Sequence, residues 1–327
     1  MVKRTLNELN VIDDFLFRSM MFRDEKGEEF CRILLKTILN RDIKKVKVSI
    51  QKDIPGPETD RHGIRLDAYI EEYPDTDAHI SESSVSSGNA GTANVELLPD
   101  IYDIEPNLYR DVSEAKRTRY YHALLDTKLL KTGVSYDRLQ NVVIIMILPY
   151  DPFGKNRMVY TIKNGCLEDP SIEYEDGTRT IYLYTKGTVG NPGKNLRDML
   201  QYLENSTEEN IKNTDIETIH HLMMDVKQDA KVGIAFMKSW EREYMLKREG
   251  EIKNLTKLVI KKIRKNLPVV DICNQLETDE RTIRPIYDVA VRYAPDYDLD
   301  KILKELYPVF GMPESDAEDL MELPRNE

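Results

Sequence analysis

Seven consecutive apolar residues, Val142-Val-Ile-Ile-Met-Ile-Leu148, constrain this chain more than any other stretch. The run is far too short to cross a bilayer and has the length of a strand. Side chains alternate faces along a strand, so a run that is apolar at every position needs cover on both sides. That is the setting of a central strand in a sheet flanked by helices. Strand-like alternation recurs at Val46, Val48 and Ile50, at Met158 to Ile162 and at Thr180 to Tyr184, with Asn164-Gly165 and Asp176-Gly177 as turn signals. Apolar residues at helical spacing cover Ile12 to Leu39, where Asp24 to Gly27 are expected to break the helix in two. A second helix is expected over Glu114 to Leu130, with Gly133 in the place of a C-terminal cap. The expected class is α/β.

Two further strand-like segments carry acids on one face. In Ile64-Arg-Leu-Asp-Ala-Tyr-Ile-Glu71, alternation sets Ile64, Leu66, Ala68 and Ile70 against Arg65, Asp67, Tyr69 and Glu71. In Ile101-Tyr-Asp-Ile-Glu-Pro-Asn107 it aligns Asp103, Glu105 and Asn107. Pairing the strands would bring Asp67 to Glu105 over a packed floor, and paired carboxylates are how a hard divalent cation is usually held. This points to metal-assisted phosphodiester hydrolysis. Pro106 lacks the N–H that a ladder needs, so the second strand is expected to end, bulge or lie at an edge there. Asp14, ahead of an apolar helical run, is expected to cap the first helix.

Charge limits the partners. With 47 Lys and Arg against 58 Asp and Glu, the net charge of −11 is the opposite of a general nucleic-acid footprint, so any contact with DNA must be a local basic patch. Lys116, Arg117 and Arg119, on the helix beside the acidic strands, are candidate contacts to the DNA backbone. A second basic cluster runs from Lys257 to Lys265. Cys31, Cys166 and Cys273 are too few and too far apart for a disulfide framework or structural zinc. No apolar signal core follows Met1-Val-Lys-Arg-Thr-Leu6 and no apolar run reaches the length of a membrane span, so a cytoplasmic protein is expected.

Several motifs stand in a telling order: Asp14-Phe-Leu-Phe17, Gly63-Ile-Arg-Leu-Asp67, Tyr102-Asp-Ile-Glu-Pro-Asn107, Lys116-Arg-Thr-Arg-Tyr-Tyr121 and Leu148-Pro-Tyr-Asp-Pro-Phe-Gly154. They fall along a succession of helix, strand, carboxylate strand, carboxylate strand, helix and buried strand. That arrangement resembles the PD-(D/E)XK nuclease superfamily, and within it the branch of recombination-promoting nucleases and transposases. The resemblance implies a restriction-endonuclease-like mixed sheet flanked by helices over residues 1–190, with a helical C-terminal region. It also implies a DNA endonuclease of recombination or transposition that depends on Mg2+ or Mn2+. Asp67 and Glu105 would hold the metal. Asn107 would stand where the superfamily puts lysine and this branch glutamine, and would orient the attacking water. A homodimer would suit concerted double-strand breaks. The alternative is a catalytically decayed nuclease fold that binds nucleic acid or a protein without cleaving.

Beyond residue 190 the pattern is helical. Over 191–250, Leu196, Met199, Leu200 and Leu203 mark one short amphipathic helix, and Ile216, Ile219, Met223 and Val226 another. Leu222, Met223, Met224, Met237 and Trp240 are expected in a core. Residues 251–295 read as a small helical module, similar to a helix-turn-helix, with a turn capped by Thr278 and a second helix bearing Arg281 and Arg284. Pro285 is expected to kink or end that helix, which favours a packing module over a sequence-specific reader. A flexible insertion is expected at about 74–99, around Ser81 to Gly91, and a loose acidic tail at 312–327.

Overall fold

The computed structural model describes residues 4–43, 45–55, 63–73, 98–110 and 113–312. The expected insertion, up to residue 97, and the expected acidic tail, from residue 313, lie outside the described residues. The chain forms two compact units, Met1–Gly233 and Ile234–Glu327.

The first unit is a mixed α/β structure. Its strands are β1 (Lys45–Ile54), β2 (Ile64–Tyr73), β3 (Asp100–Pro106), β4 (Val142–Leu148), β5 (Val159–Ile162) and β6 (Thr178–Tyr184), in the sheet order β1-β2-β3-β4-β6-β5. β3, β4 and β6 run parallel, while β1, β2 and β5 attach antiparallel at the two edges. Every residue of β4 is buried, as its unbroken apolar sequence requires. The helices are α1 (Asp14–Met21), α2 (Asp24–Leu39), α3 (Glu114–Leu129), α4 (Lys194–Glu204) and α5 (Thr214–Gln228). Tyr121, Leu124 and Leu125 of α3 share a core with Leu66, Tyr69, Ile101, Ile144, Met146 and Tyr182 of the sheet. α4 and α5 pack against α1 and α2 within the same unit.

Two local expectations are corrected. The break in the first helical run falls at Phe22 and Arg23, and Asp24 to Gly27 already belong to α2. Gly27 is there for close packing: a Cβ on it would lie 2.1 Å from the Met21 carbonyl oxygen. α3 leaves the helical conformation at Leu130, whose N–H still reaches the Asp126 carbonyl. Gly133, at φ +84°, serves the turn beyond and is not the cap.

Pro106 does end β3, in the middle of the sheet. The Ile101 and Asn107 N–H groups donate to carbonyls on the β4 side, at Asn141 and Ile147. By alternation, the missing N–H of Pro106 faces β2. The β2–β3 ladder has already stopped at the Tyr69–Asp103 pair, so the proline removes no bond from it.

In the second unit, α6 (Ala230–Ile263, beginning at the end of the first unit), α7 (Val269–Leu276), α8 (Glu280–Arg292) and α9 (Leu299–Val309) supply one core. Val259, Ile260 and Ile263 meet Val269, Ile272, Ile283, Ile286, Val289, Ile302 and Leu306 there. α8 runs through Pro285 to Arg292, against expectation. Burial of Ile283, Ile286, Val289 and Ala290 along one face holds the helix across the missing N–H. Its cap is Asp279, which accepts from the Thr282 N–H, and not Thr278. Leu222 and Met223 are buried as expected, but Met224 and Met237 are 38% and 53% exposed. Helical spacing defines an apolar face without saying what covers it. Among the described residues, no helix is long and apolar enough to cross a membrane.

Candidate active site

Continuing the β2–β3 register beyond Tyr69–Asp103 sets Asp67 opposite Glu105. There the Asp67 backbone N–H donates to Glu105 Oε1 at 2.8 Å, so a carboxylate takes the place of a ladder carbonyl. The two residues expected as metal ligands are brought together by the fold. Glu105 is buried, and its Oε2 lies 3.4 Å from Arg117 Nη2 of α3. Arg117 is oriented by its Nε, which donates to the Tyr121 hydroxyl at 3.1 Å. Asp103 is fully buried, with its carboxyl within hydrogen-bonding reach of the Glu105 carboxyl.

The acids outweigh their counter-charges. Burial, reinforced by the negative charge of Asp14, pushes Asp67 up to about 6, although Arg18, Arg117 and Arg65 oppose the shift. Glu105 is pushed up to about 8, first by burial and then by Asp67. Asp103 is raised well above the usual carboxylate range by burial, with Glu105 and Asp67 adding to it. A cluster of carboxyls short of positive charge is a place where a cation gains free energy.

Asp14 does not cap α1. Asp13 precedes the helix, and Asp14 is its first residue, ion-paired with Arg18 one turn on. The pair carries one charge of each sign to Asp67 from the start of α1. Arg18 was not legible as a site residue. Its signal was the four-residue spacing from Asp14, which puts both on one helix face.

Asn107 is drawn elsewhere. Its Nδ2 donates to Glu114 Oε1 at 3.0 Å and its Oδ1 accepts from the Tyr109 N–H at 3.1 Å. Glu114, buried at the start of α3, also accepts from the Tyr150 hydroxyl at 2.7 Å. Asn107 thus ties the end of β3 to the start of α3, the helix that carries Arg117. Asn107→Ala is expected to cost about 1–3 kcal/mol through the loss of these bonds. Urea denaturation measures it, and an unchanged midpoint would show the network to be idle. Of the three α3 residues expected to contact DNA, Lys116 and Arg119 are exposed, whereas Arg117 turns inward to Glu105.

No family model, curated protein or solved structure matches this chain.

Among the described residues, no group of three or more His, Cys, Asp or Glu side chains is arranged to hold a metal ion. Mg2+, however, commonly keeps several waters and takes one or two carboxylates plus phosphate oxygens of the substrate. Asp67 and Glu105 fit that pattern in donor type and number. Two clefts lie elsewhere, one lined by Lys186, Arg197 and Glu204, the other by Lys26, Phe30 and His221.

Proposed function

We propose that this chain is a DNA endonuclease of the recombination or transposition type, dependent on Mg2+ or Mn2+, with Asp67 and Glu105 as the cation ligands. The observation that carries the proposal is the bond between the Asp67 N–H and Glu105 Oε1, which sets two acids side by side in a site short of positive charge. A bound divalent cation supplies Lewis-acid polarisation of a phosphate and a more acidic water. The protein's own groups do the rest. Asp67 and Glu105 bind and orient. Arg117, held by Tyr121, keeps a permanent positive charge beside Glu105. A guanidinium cannot serve as a base at any ordinary pH, so its part is to attract and hold a phosphate oxygen. Asn107 acts as a positioning residue for α3, in place of the water-orienting role that the resemblance implied.

A second reading, a decayed nuclease fold that binds without cleaving, is favoured by the engagement of both ends of the Asn107 amide and by the guanidinium already on Glu105. Incubation of supercoiled plasmid with the protein in Mg2+, in Mn2+ and in chelator separates the two. Nicking with either metal and none in chelator supports the endonuclease. Retention of DNA without cleavage in any condition supports the binding module.

A further inference from the structure

In the second unit, α6 has a buried side and a charged side. Ile252, Thr256, Val259, Ile260 and Ile263 are buried. Lys253, Lys257 and Lys261 of α6, with Lys265 in the turn that follows it, recur at every fourth residue and are exposed on a stripe away from that side. No acidic residue occurs between Lys253 and Lys265, in a chain whose net charge is −11. None of the four lysines has an ion-pair or hydrogen-bond partner among the described residues. Arg264, by contrast, is engaged by the Asp296 carbonyl and the Tyr297 ring.

We propose that this stripe is a docking surface for the phosphate backbone of duplex DNA. At 1.5 Å per residue it extends roughly 18 Å, and a duplex of that length presents about ten phosphates. Lysine acts as a point charge without planar base readout, so the surface holds DNA without reading its sequence. An anionic membrane is the poorer fit. A helix lying in a bilayer surface needs a free apolar face, and the apolar side opposite the lysine stripe, Ile252, Val259, Ile260 and Ile263, is occupied by cores shared with α7, α8 and α9. The choice of DNA among polyanions rests on the endonuclease reading.

The test is binding of the full chain to a short duplex in chelator, by fluorescence anisotropy, between about 50 and about 200 mM salt. With all four lysines changed to Gln, the slope of log affinity against log salt is expected to flatten by about 3–4. Across that range the wild type then loses on the order of a hundredfold more affinity than the variant. The fourfold Lys→Arg variant keeps the wild-type slope. An equal slope in wild type and the Gln variant overturns the proposal, as does lysine-dependent binding to phosphatidylserine vesicles without binding to the duplex. Lysine-dependent binding by a protein that does not cleave in Mg2+ leaves this inference standing and removes the nuclease reading. Cleavage by a protein whose slope ignores the lysines does the reverse.

Discussion

In chelator at pH 8, Glu105→Gln is expected to be more stable than the wild type, with an advantage that shrinks as the pH falls toward 4.5. The folded protein raises the Glu105 pKa from an ordinary 4.5 to about 8, mainly by burial. Folding therefore favours the protonated acid. Its contribution to stability is complete below the unfolded pKa and is lost as pH rises through the folded one. Glutamine mimics the protonated form at every pH and still offers an oxygen to the Asp67 N–H. The difference at pH 8 is on the order of 3–5 kcal/mol, from about 1.4 kcal/mol for each pKa unit. Thermal denaturation of both proteins between pH 5 and pH 8 measures it (about the span of the shift). A constant difference across that span would show that Glu105 is not held in a charge-poor site. Added Mg2+ should narrow the gap by stabilising the wild type, because a ligand that binds only the folded state adds to its stability.

Gly27→Ala is expected to destabilise the first unit by about 2 kcal/mol or more, the range of overpacking in a close contact. The new Cβ would meet the Met21 carbonyl oxygen at 2.1 Å and its carbon at 2.8 Å. These are backbone atoms at the end of α1 and cannot rotate away. Relief requires α1 and α2 to part, and α1 carries Asp14 and Arg18 to the carboxylates. The same substitution should therefore lower cleavage as well as stability. Urea denaturation checks the first effect, and wild-type stability in the variant would contradict the contact.

Much of this fold was legible because period and composition speak directly to burial. β4 was recognisable from seven apolar residues in a row, and the face shared by Asp67 and Glu105 from alternation alone. What escaped was what local pattern does not encode. Pro285 looked like a helix end because the missing N–H is a local cost, whereas the burial that outweighs it comes from residues distant in sequence. Asn107 looked like part of the site from its place after Glu105, but β3 ends at Pro106 and the side chain beyond it turns to Glu114. Asp103 was visible as a neighbour on the acidic face. Its complete burial depends on how α3 covers the sheet. Met237 sits at helical spacing with other apolar residues and is nonetheless exposed.

The central claim is that Asp67 and Glu105 together carry metal-dependent cleavage. Its most direct test compares the nicking of supercoiled plasmid in Mg2+ by the wild type, Asp67→Ala and Glu105→Ala, each shown to be folded by circular dichroism. Loss of a cation ligand forfeits several kcal/mol of transition-state stabilisation, so both variants are expected to fall about a thousandfold or more below the wild type. Wild-type nicking rates in either variant would contradict the account.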